Sequence, residues 1–139
     1  MTVTLHASCV AFGYRGVVII GKSGSGKSSL ALELIGLGGA LIADDRTVIT
    51  PSTEKLIATC PPTIRGKIEA RGIGILIADT LPNCHVHLVV DMDQTEPDRI
   101  PPPRTITLSG IEVETLFGKD TLNLAIATKL ILNGGRVYE

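Results

Sequence analysis

The stretch VVIIGKSGSGKSSLALELIGLGGALIADD, residues 17–45, decides the fold. Its β-branched run at residues 17–20 predicts a buried strand. Leucines at helical spacing follow (Leu30, Leu34 and Leu37), and the run GLGG at residues 36–39 is predicted to end that helix. A further apolar run, ALIADD, predicts a second buried strand. A strand, a helix and a strand in so short a stretch predict a right-handed βαβ unit, and therefore an α/β fold.

The segment between the first strand and the helix fits the phosphate-loop pattern G-x-x-x-x-G-K-[ST]. Its members are Gly21, Lys22, Ser23, Gly24, Ser25, Gly26, Lys27 and Ser28. Glycines allow the turns that point successive N–H groups at phosphate oxygens. Lys27 would add positive charge at the β- and γ-phosphates, and the Ser28 hydroxyl is a ligand for Mg²⁺. The loop therefore predicts that ATP and Mg²⁺ bind at the start of the helix, where the helix dipole favours anions.

Two adjacent carboxylates, Asp44 and Asp45, end the second strand. Parallel strands on either side of a helix open at the same sheet edge, so both acids are expected near Lys27. One could hold Mg²⁺ while the other takes a proton from an attacking hydroxyl. The alternative is one metal-holding acid beside a solvated spectator. Neighbouring strand residues point to opposite faces, so equivalent roles are not expected.

The remaining chain is predicted to build on this unit within a single domain, residues 1–139. Short strands are predicted around residue 48 and at residues 56–59, 73–77 and 86–90, and the turn-rich pieces between them indicate flanking hairpins. Four prolines at residues 96–104 predict an extended surface connection. Apolar residues at helical spacing and a closing NGG predict a C-terminal helix at residues 119–132.

Charge and cysteine content narrow the class of protein. The chain has 13 Lys and Arg residues against 14 Asp and Glu, which gives no general electrostatic reason to expect a nucleic-acid or membrane partner. Three scattered cysteines without a C-x-x-C pair indicate a reducing compartment. The sequence shows no secretory signal and no apolar run of the ~20 residues that cross a bilayer. A cytoplasmic location is expected.

Four segments together resemble the catalytic domain of bacterial HPr kinase/phosphorylase. They are LHAS at residues 5–8, the phosphate loop, LIADDRTVI at residues 41–49 and IEARGIGILIA at residues 68–78. The resemblance implies a P-loop-containing, PEP carboxykinase-like sheet. It also implies an ATP-dependent protein-serine kinase whose substrate is HPr, the phosphocarrier of the sugar phosphotransferase system, in carbon regulation. The reverse phosphorolysis of phosphoserine and assembly into a homo-hexamer are implied as well.

The resemblance also assigns roles to the nucleotide side of the site. Lys27 and Ser28 match the family's loop lysine and magnesium serine, and Glu69 matches a second magnesium ligand.

On the acceptor side, His6 matches an active-site histidine. Asp45 matches the aspartate that accepts the proton in phosphorylation and donates it in the reverse step, with Asp44 beside the metal, although this order within the pair is left open. Arg71 falls in the segment that serves both reaction directions.

Two departures from the family pattern are present. By the resemblance, the chain is expected to be the short form typical of alphaproteobacteria, which lacks the N-terminal domain of many members. The family's arginine-rich segment is close to P-V-R-P-G-R-N. In its place this chain has ETLFGKDTLN at residues 114–123, of which Gly118 and Lys119 partly match that segment. The family associates that segment with dephosphorylation, so Arg104 or Arg136 would have to supply the missing guanidinium for phosphorylase activity.

Two other functions fit the same loop and acid pair. One is a small-molecule kinase related to PEP carboxykinase, which would need no protein substrate. The other is a non-catalytic sensor that binds ATP and changes its assembly.

Overall fold

The structure is a computed structural model and describes residues 1–138. Its strands are β1 (Val3–Leu5), β2 (Ala7–Phe12), β3 (Arg15–Ile20), β4 (Ala40–Ala43), β5 (Thr47–Ser52), β6 (Lys55–Thr59), β7 (Lys67–Ala70), β8 (Gly74–Ile77), β9 (Asn83–Asp91), β10 (Thr105–Leu108) and β11 (Ile111–Phe117). The helices are α1 (Lys27–Gly36) and α2 (Leu124–Gly134), and a short 3-10 helix spans Pro62–Ile64.

The main sheet is mixed, with the strand order β1-β5-β6-β9-β3-β2-β4. Outside this path, β11 also pairs with β9, and β10 pairs with β11. Only the β3–β9 and β9–β11 pairs are parallel in the described chain. Strand β2 lies between β3 and β4 and runs antiparallel to both. The strands before and after α1 therefore point the same way with one strand between them, and their carboxyl ends open at the same edge. The expected α/β fold with flanking hairpins is present.

A β-bulge interrupts the pairing of β2 with β4. Val10 faces Leu41 and Cys9 faces Ala43, so Ile42 is one extra residue on β4. Because strand side chains alternate between the two faces, one extra residue changes which later side chains face inward. The bulge thus lies immediately before the acid pair, and beyond it Ala43 pairs with Cys9 of β2.

Hydrophobic residues are buried on both faces of the sheet. On one face, Leu30 and Leu34 of α1 are in the same buried cluster as Val17 and Ile19 of β3. On the other face, Val18 belongs to a separate buried cluster. Burial on both sides explains why β3 is apolar at successive positions rather than alternating.

Strands β7 and β8 form a separate two-stranded hairpin against this sheet. Ile68 and Ala70 of β7 are buried, whereas Ile75 and Ile77 of β8 are exposed. The exposed segment was predicted as a strand at residues 73–77, and β8 confirms it from Gly74 onward. The hairpin therefore has one face packed on the domain and one apolar strand at the surface.

The C-terminal helix begins later than the sequence predicted. Residues 119–123 form a loop, and α2 starts at Leu124. Two of these residues, Asp120 and Asn123, have left-handed backbone conformations with φ of 58° each, which an α-helix does not accommodate. The proline-rich stretch at residues 96–104 has no helix or strand, as predicted.

Neither helix in residues 1–138 is long and apolar enough to cross a membrane. All three cysteines are buried free thiols. Two of them, Cys9 and Cys84, have their sulfur atoms 3.7 Å apart on opposite sides of β3. The hydrogen bond between them and their burial raise the pKa of the Cys9 thiol well above its usual value.

Candidate active site

A glycine-rich loop, residues 21–28, joins β3 to α1. Gly21, Gly24 and Gly26 have φ of 151°, 83° and 101°, conformations that glycine adopts without strain. A Cβ added at Gly21 would lie 2.5 Å from Ser25 Oγ, so this position also requires glycine for space. The glycines of the sequence pattern thus lie at backbone positions that favour glycine.

Lys27 is the first residue of α1 and is 6% exposed. Its Nζ donates hydrogen bonds to the carbonyl oxygens of Gly21 (2.8 Å) and Lys22 (3.0 Å). The loop thereby folds around the ammonium group and holds its positive charge at the helix N-terminus. Both sources of positive potential, the ammonium and the helix dipole, favour an anion at this place.

Asp44 follows β4 and is a buried carboxylate with three donors. Ser28 Oγ (2.7 Å) and Ser8 Oγ (2.8 Å) donate to its Oδ1, and the backbone N–H of Glu69 donates to Oδ2 at 3.1 Å. A buried carboxylate needs such donors because burial removes its water. Asp44 therefore joins α1, β2 and the β7–β8 hairpin at one point.

Asp45 has a different environment from its neighbour. Its φ is 69°, a left-handed conformation that few residues other than glycine adopt. Its side chain is 64% exposed, and its Oδ1 lies 3.0 Å from Nε2 of His6. The Asp45 backbone N–H donates to Ser8 Oγ at 3.3 Å, which fixes the main chain at the turn. One carboxylate of the pair is thus locked in protein, and the other faces solvent beside a histidine.

These groups surround a cavity of about 330 Å³, called here the acid-lined cavity. Of the residues predicted from the sequence, its walls include His6, Ser23, Gly24, Gly26, Lys27, Ser28, Asp45, Glu69 and Arg71. Asp44 is not in the wall and lies behind it, bonded to Ser28. Glu69 and Arg71 come from the β7–β8 hairpin, so the hairpin closes one side of the cavity.

Two residues of this region have a role that no sequence pattern predicted. Ser8 is fully buried and contacts both acids. Asp93 accepts the backbone N–H of Lys22 on its two oxygens at 3.0 and 3.2 Å, and so supports the loop from outside. Asp93 follows β9, the parallel neighbour of β3. An acidic residue just after that strand is the sequence feature that could have identified Asp93 as part of the site.

The two arginines expected to replace the missing one lie elsewhere. Arg104 makes two hydrogen bonds to Glu96, at 2.9 and 2.8 Å, and its guanidinium lies over the Phe117 ring. Arg136 pairs with Glu114. Neither side chain lines the acid-lined cavity, so the expectation that one of them completes the site is not supported in the described chain.

The residues present fit a nucleoside phosphate with Mg²⁺. Ser25 Oγ in the loop is buried and has no hydrogen-bond partner within the protein. This is expected for a hydroxyl whose hydrogen-bond partner is a bound ligand. In residues 1–138 no three His, Cys, Asp or Glu side chains could hold a metal by themselves. Mg²⁺ ordinarily uses one or two carboxylates together with substrate phosphates, and Ser28, Asp44 and Glu69 offer such a partial set.

The fold and this site define the chain as a mixed α/β protein in which a glycine-rich loop faces a pair of aspartates. Residues 1–100 match the family described as HPr Serine kinase C-terminal domain, and the chain belongs to that family. A relative from Thermoanaerobacter sp. (strain X514), named HPr kinase/phosphorylase, is 39% identical over 105 residues, which are 70% of this chain and 34% of the relative.

Two further relatives agree with this assignment. The protein of the same name from Limosilactobacillus reuteri (strain DSM 20016) is 39% identical over 103 residues, 68% of this chain and 32% of its own length. The chain thus spans about a third of the curated relatives it matches. A solved structure titled Hpr(Ser) kinase/phosphatase from Coxiella burnetii superposes with a TM-score of 0.78 at 28% identity, covering 94% of this chain and 93% of that one.

Proposed function

We propose that this chain is the catalytic domain of an ATP-dependent protein-serine kinase that phosphorylates a serine of HPr and catalyses the reverse phosphorolysis. The carrying observation is that Lys27 and Ser28 line the same cavity as Asp45, which is 3.0 Å from His6. Phosphoryl transfer needs the donor phosphate and a proton acceptor in one place. The names of the relatives support HPr as the acceptor protein.

The glycine-rich loop acts as a P-loop in this proposal. Its backbone N–H groups and Lys27 bind the β- and γ-phosphates of ATP, and Ser25 contributes its unpartnered hydroxyl. Ser28 and Glu69 would hold Mg²⁺, with Asp44 orienting Ser28 through the 2.7 Å hydrogen bond. Bound there, Mg²⁺ neutralises charge on the phosphate oxygens.

Asp45 is the proton acceptor in the proposal. It takes the proton of the seryl hydroxyl as that oxygen bonds to the γ-phosphorus and the bond from phosphorus to the ADP oxygen breaks. In reverse, inorganic phosphate attacks the phosphoserine phosphorus, and protonated Asp45 returns its proton to the departing serine oxygen, leaving pyrophosphate. His6 positions the Asp45 carboxylate, and Arg71, which also lines the cavity, stabilises negative charge on the transferred group.

The β7–β8 hairpin supports a protein acceptor over a metabolite. Ile73 lines the acid-lined cavity, and the exposed Ile75 and Ile77 continue from it over the surface. A contiguous exposed apolar strand beside a catalytic cavity is typical of a site that contacts another protein. The family resemblance extends the proposal to a homo-hexamer in the cytoplasm, active in phosphotransferase-system and carbon regulation.

Transfer of label from [γ-³²P]ATP with Mg²⁺ to purified HPr tests the proposal. The wild-type protein should label an HPr serine, Lys27→Ala should not, and Lys55→Ala should behave as wild type because Lys55 lies on β6 outside the cavity. Adding inorganic phosphate should then remove the label as pyrophosphate. Absence of label on HPr with the wild-type protein would contradict kinase function, and ATP binding without transfer would indicate a sensor.

A further inference from the structure

A second cavity, of about 470 Å³, lies against the first turn of α1 and the start of α2. We call it the α1–α2 cavity, and we propose that it binds the base and ribose of the nucleotide whose phosphates the glycine-rich loop holds. This inference rests on the proposed function and adds a location for the nucleoside. The volume is in the usual range for small-molecule sites, about 300–1,000 Å³.

The position of this cavity relative to the acid-lined cavity gives the first argument. Gly26 and Ser29 line both, whereas His6 and Asp45 line only the acid-lined cavity. A phosphoryl group transferred with the help of Asp45 must lie on the Asp45 side of the loop. The nucleoside is at the other end of the phosphate chain, so it leaves the loop on the side where the α1–α2 cavity lies.

The lining of the cavity gives the second argument. Leu30, Met92 and Leu124 supply apolar surface, while Glu33 and Asp120 supply carboxylate oxygens. A base is a flat ring system that packs on apolar side chains, and ribose hydroxyls donate hydrogen bonds to carboxylates. Leu122 is 86% exposed and Ile126 is 54% exposed although both line the cavity, so each has apolar surface that a bound base would cover.

The backbone connects the cavity to the glycine-rich loop. The N–H of Gly118 donates to the carbonyl of Asp91 at 2.9 Å, and the N–H of Lys119 donates to that of Gln94 at 3.0 Å. Asp93, between them, accepts the N–H of Lys22 in the loop. The segment 91–94 therefore bonds both to the glycine-rich loop and to residues 118–119, where the wall of the α1–α2 cavity begins.

Two details show a wall built closely around this space. A Cβ at Gly118 would lie 2.7 Å from Val90 Cγ1 and 3.1 Å from Met92 Sδ. Glycine therefore allows the backbone of residue 118 to pack closely against these two side chains. Asp120 adopts φ of 58° without being glycine. Strained backbone of this kind is concentrated at ligand sites.

Binding measured by calorimetry with ATP, and with tripolyphosphate as the probe without a nucleoside, tests the inference. The wild-type protein should bind ATP·Mg²⁺ more tightly than tripolyphosphate·Mg²⁺. Leu122→Ala and Ile126→Ala should each weaken ATP binding by roughly five-fold, because each removes apolar surface from the base, and leave tripolyphosphate binding unchanged. Leu130→Ala is the matched control, since Leu130 is an exposed leucine of α2 outside the cavity.

Four outcomes would contradict the inference. Equal wild-type affinity for ATP and tripolyphosphate, or equal effects of Leu122→Ala and Leu130→Ala on ATP binding, would overturn this inference and leave the proposed function intact. Failure to bind either ligand would overturn both. Photolabelling with 8-azido-ATP gives an independent readout, with the modified peptide expected within residues 118–126, and label confined to other peptides would contradict the site.

Discussion

Ser28 donates its hydroxyl hydrogen to Asp44 Oδ1 across 2.7 Å, so the first turn of α1 is bonded directly to the end of β4. The same Oδ1 accepts a hydrogen bond from Ser8, and Oδ2 accepts one from Glu69. Asp45 shares none of these bonds to its carboxylate and instead faces His6. The environments of the two acids predict different consequences of removing each charge.

Asp45→Asn should abolish most phosphoryl transfer while leaving ATP·Mg²⁺ binding unchanged. A positioned general base contributes on the order of 10²–10⁴ in rate, and an amide cannot accept the proton. Asp44→Asn should instead weaken Mg²⁺-dependent ATP binding, because it removes charge behind Ser28. Calorimetry and single-turnover transfer measure the two effects, and the reverse pattern would assign the roles the other way round.

Ser8→Ala should lower the free energy of unfolding by about 1–3 kcal/mol, since it removes one donor from a buried carboxylate and an acceptor from the Asp45 N–H. Urea denaturation measures the change. Ser52→Ala is the control, because Ser52 is exposed at the end of β5 and should be close to neutral. Equal stability of the two variants would show that Asp44 does not depend on Ser8.

Gly16→Ala should cost about 1–3 kcal/mol through overpacking, because the new Cβ would lie 2.2 Å from Cys84 Sγ. Adding Cys84→Ala should relieve this contact. The double mutant should therefore lose less free energy of unfolding than the sum of the losses of the two single mutants. Gly36→Ala, where the added Cβ meets no atom within 4 Å, serves as the control. Strict additivity of the first two changes would show that the contact is relieved elsewhere.

The Glu96–Arg104 pair should make stability fall in acid. Hydrogen bonding from Arg104 holds the pKa of Glu96 below the usual 4.5, so the folded protein binds this proton less readily than the unfolded chain. The stabilisation is therefore present above the usual glutamate pKa and is lost as the pH falls through the lowered value. Thermal unfolding from pH 7 to pH 3 should show a smaller acid loss in Glu96→Gln than in wild type or in Glu112→Gln.

Local patterns in the sequence predicted the centre of the fold. The apolar run of β3, the leucine spacing of α1 and the glycines of the loop depend on neighbouring residues only, so they can be read without knowing the partner strands. The insertion of β2 between β3 and β4 could not be predicted in this way. Its pairing is long-range, and no local feature of residues 7–12 specifies which strands flank it.

The members of the site were largely predictable, and their arrangement was not. The loop pattern and the family resemblance named nine residues that line the acid-lined cavity. The separate environments of Asp44 and Asp45 depend on Ser8 and on the fold of the hairpin, which no spacing along the chain specifies. The start of α2 was misplaced because Leu122 fits the helical apolar spacing of the residues that follow it, whereas Asp120 and Asn123 have left-handed backbone conformations.

The extra residue Ile42 in β4 has a consequence for how related sequences are compared. Removing it would make Leu41 and Ala43 consecutive opposite Val10 and Cys9, so the pairing with β2 would become regular and the two aspartates would keep their present directions. A one-residue difference in this strand is therefore absorbed at the bulge and is not passed on to the acid pair. Relatives that are one residue shorter in β4 would enclose the same carboxylate, and an alignment that places its gap at Ile42 would match both aspartates correctly.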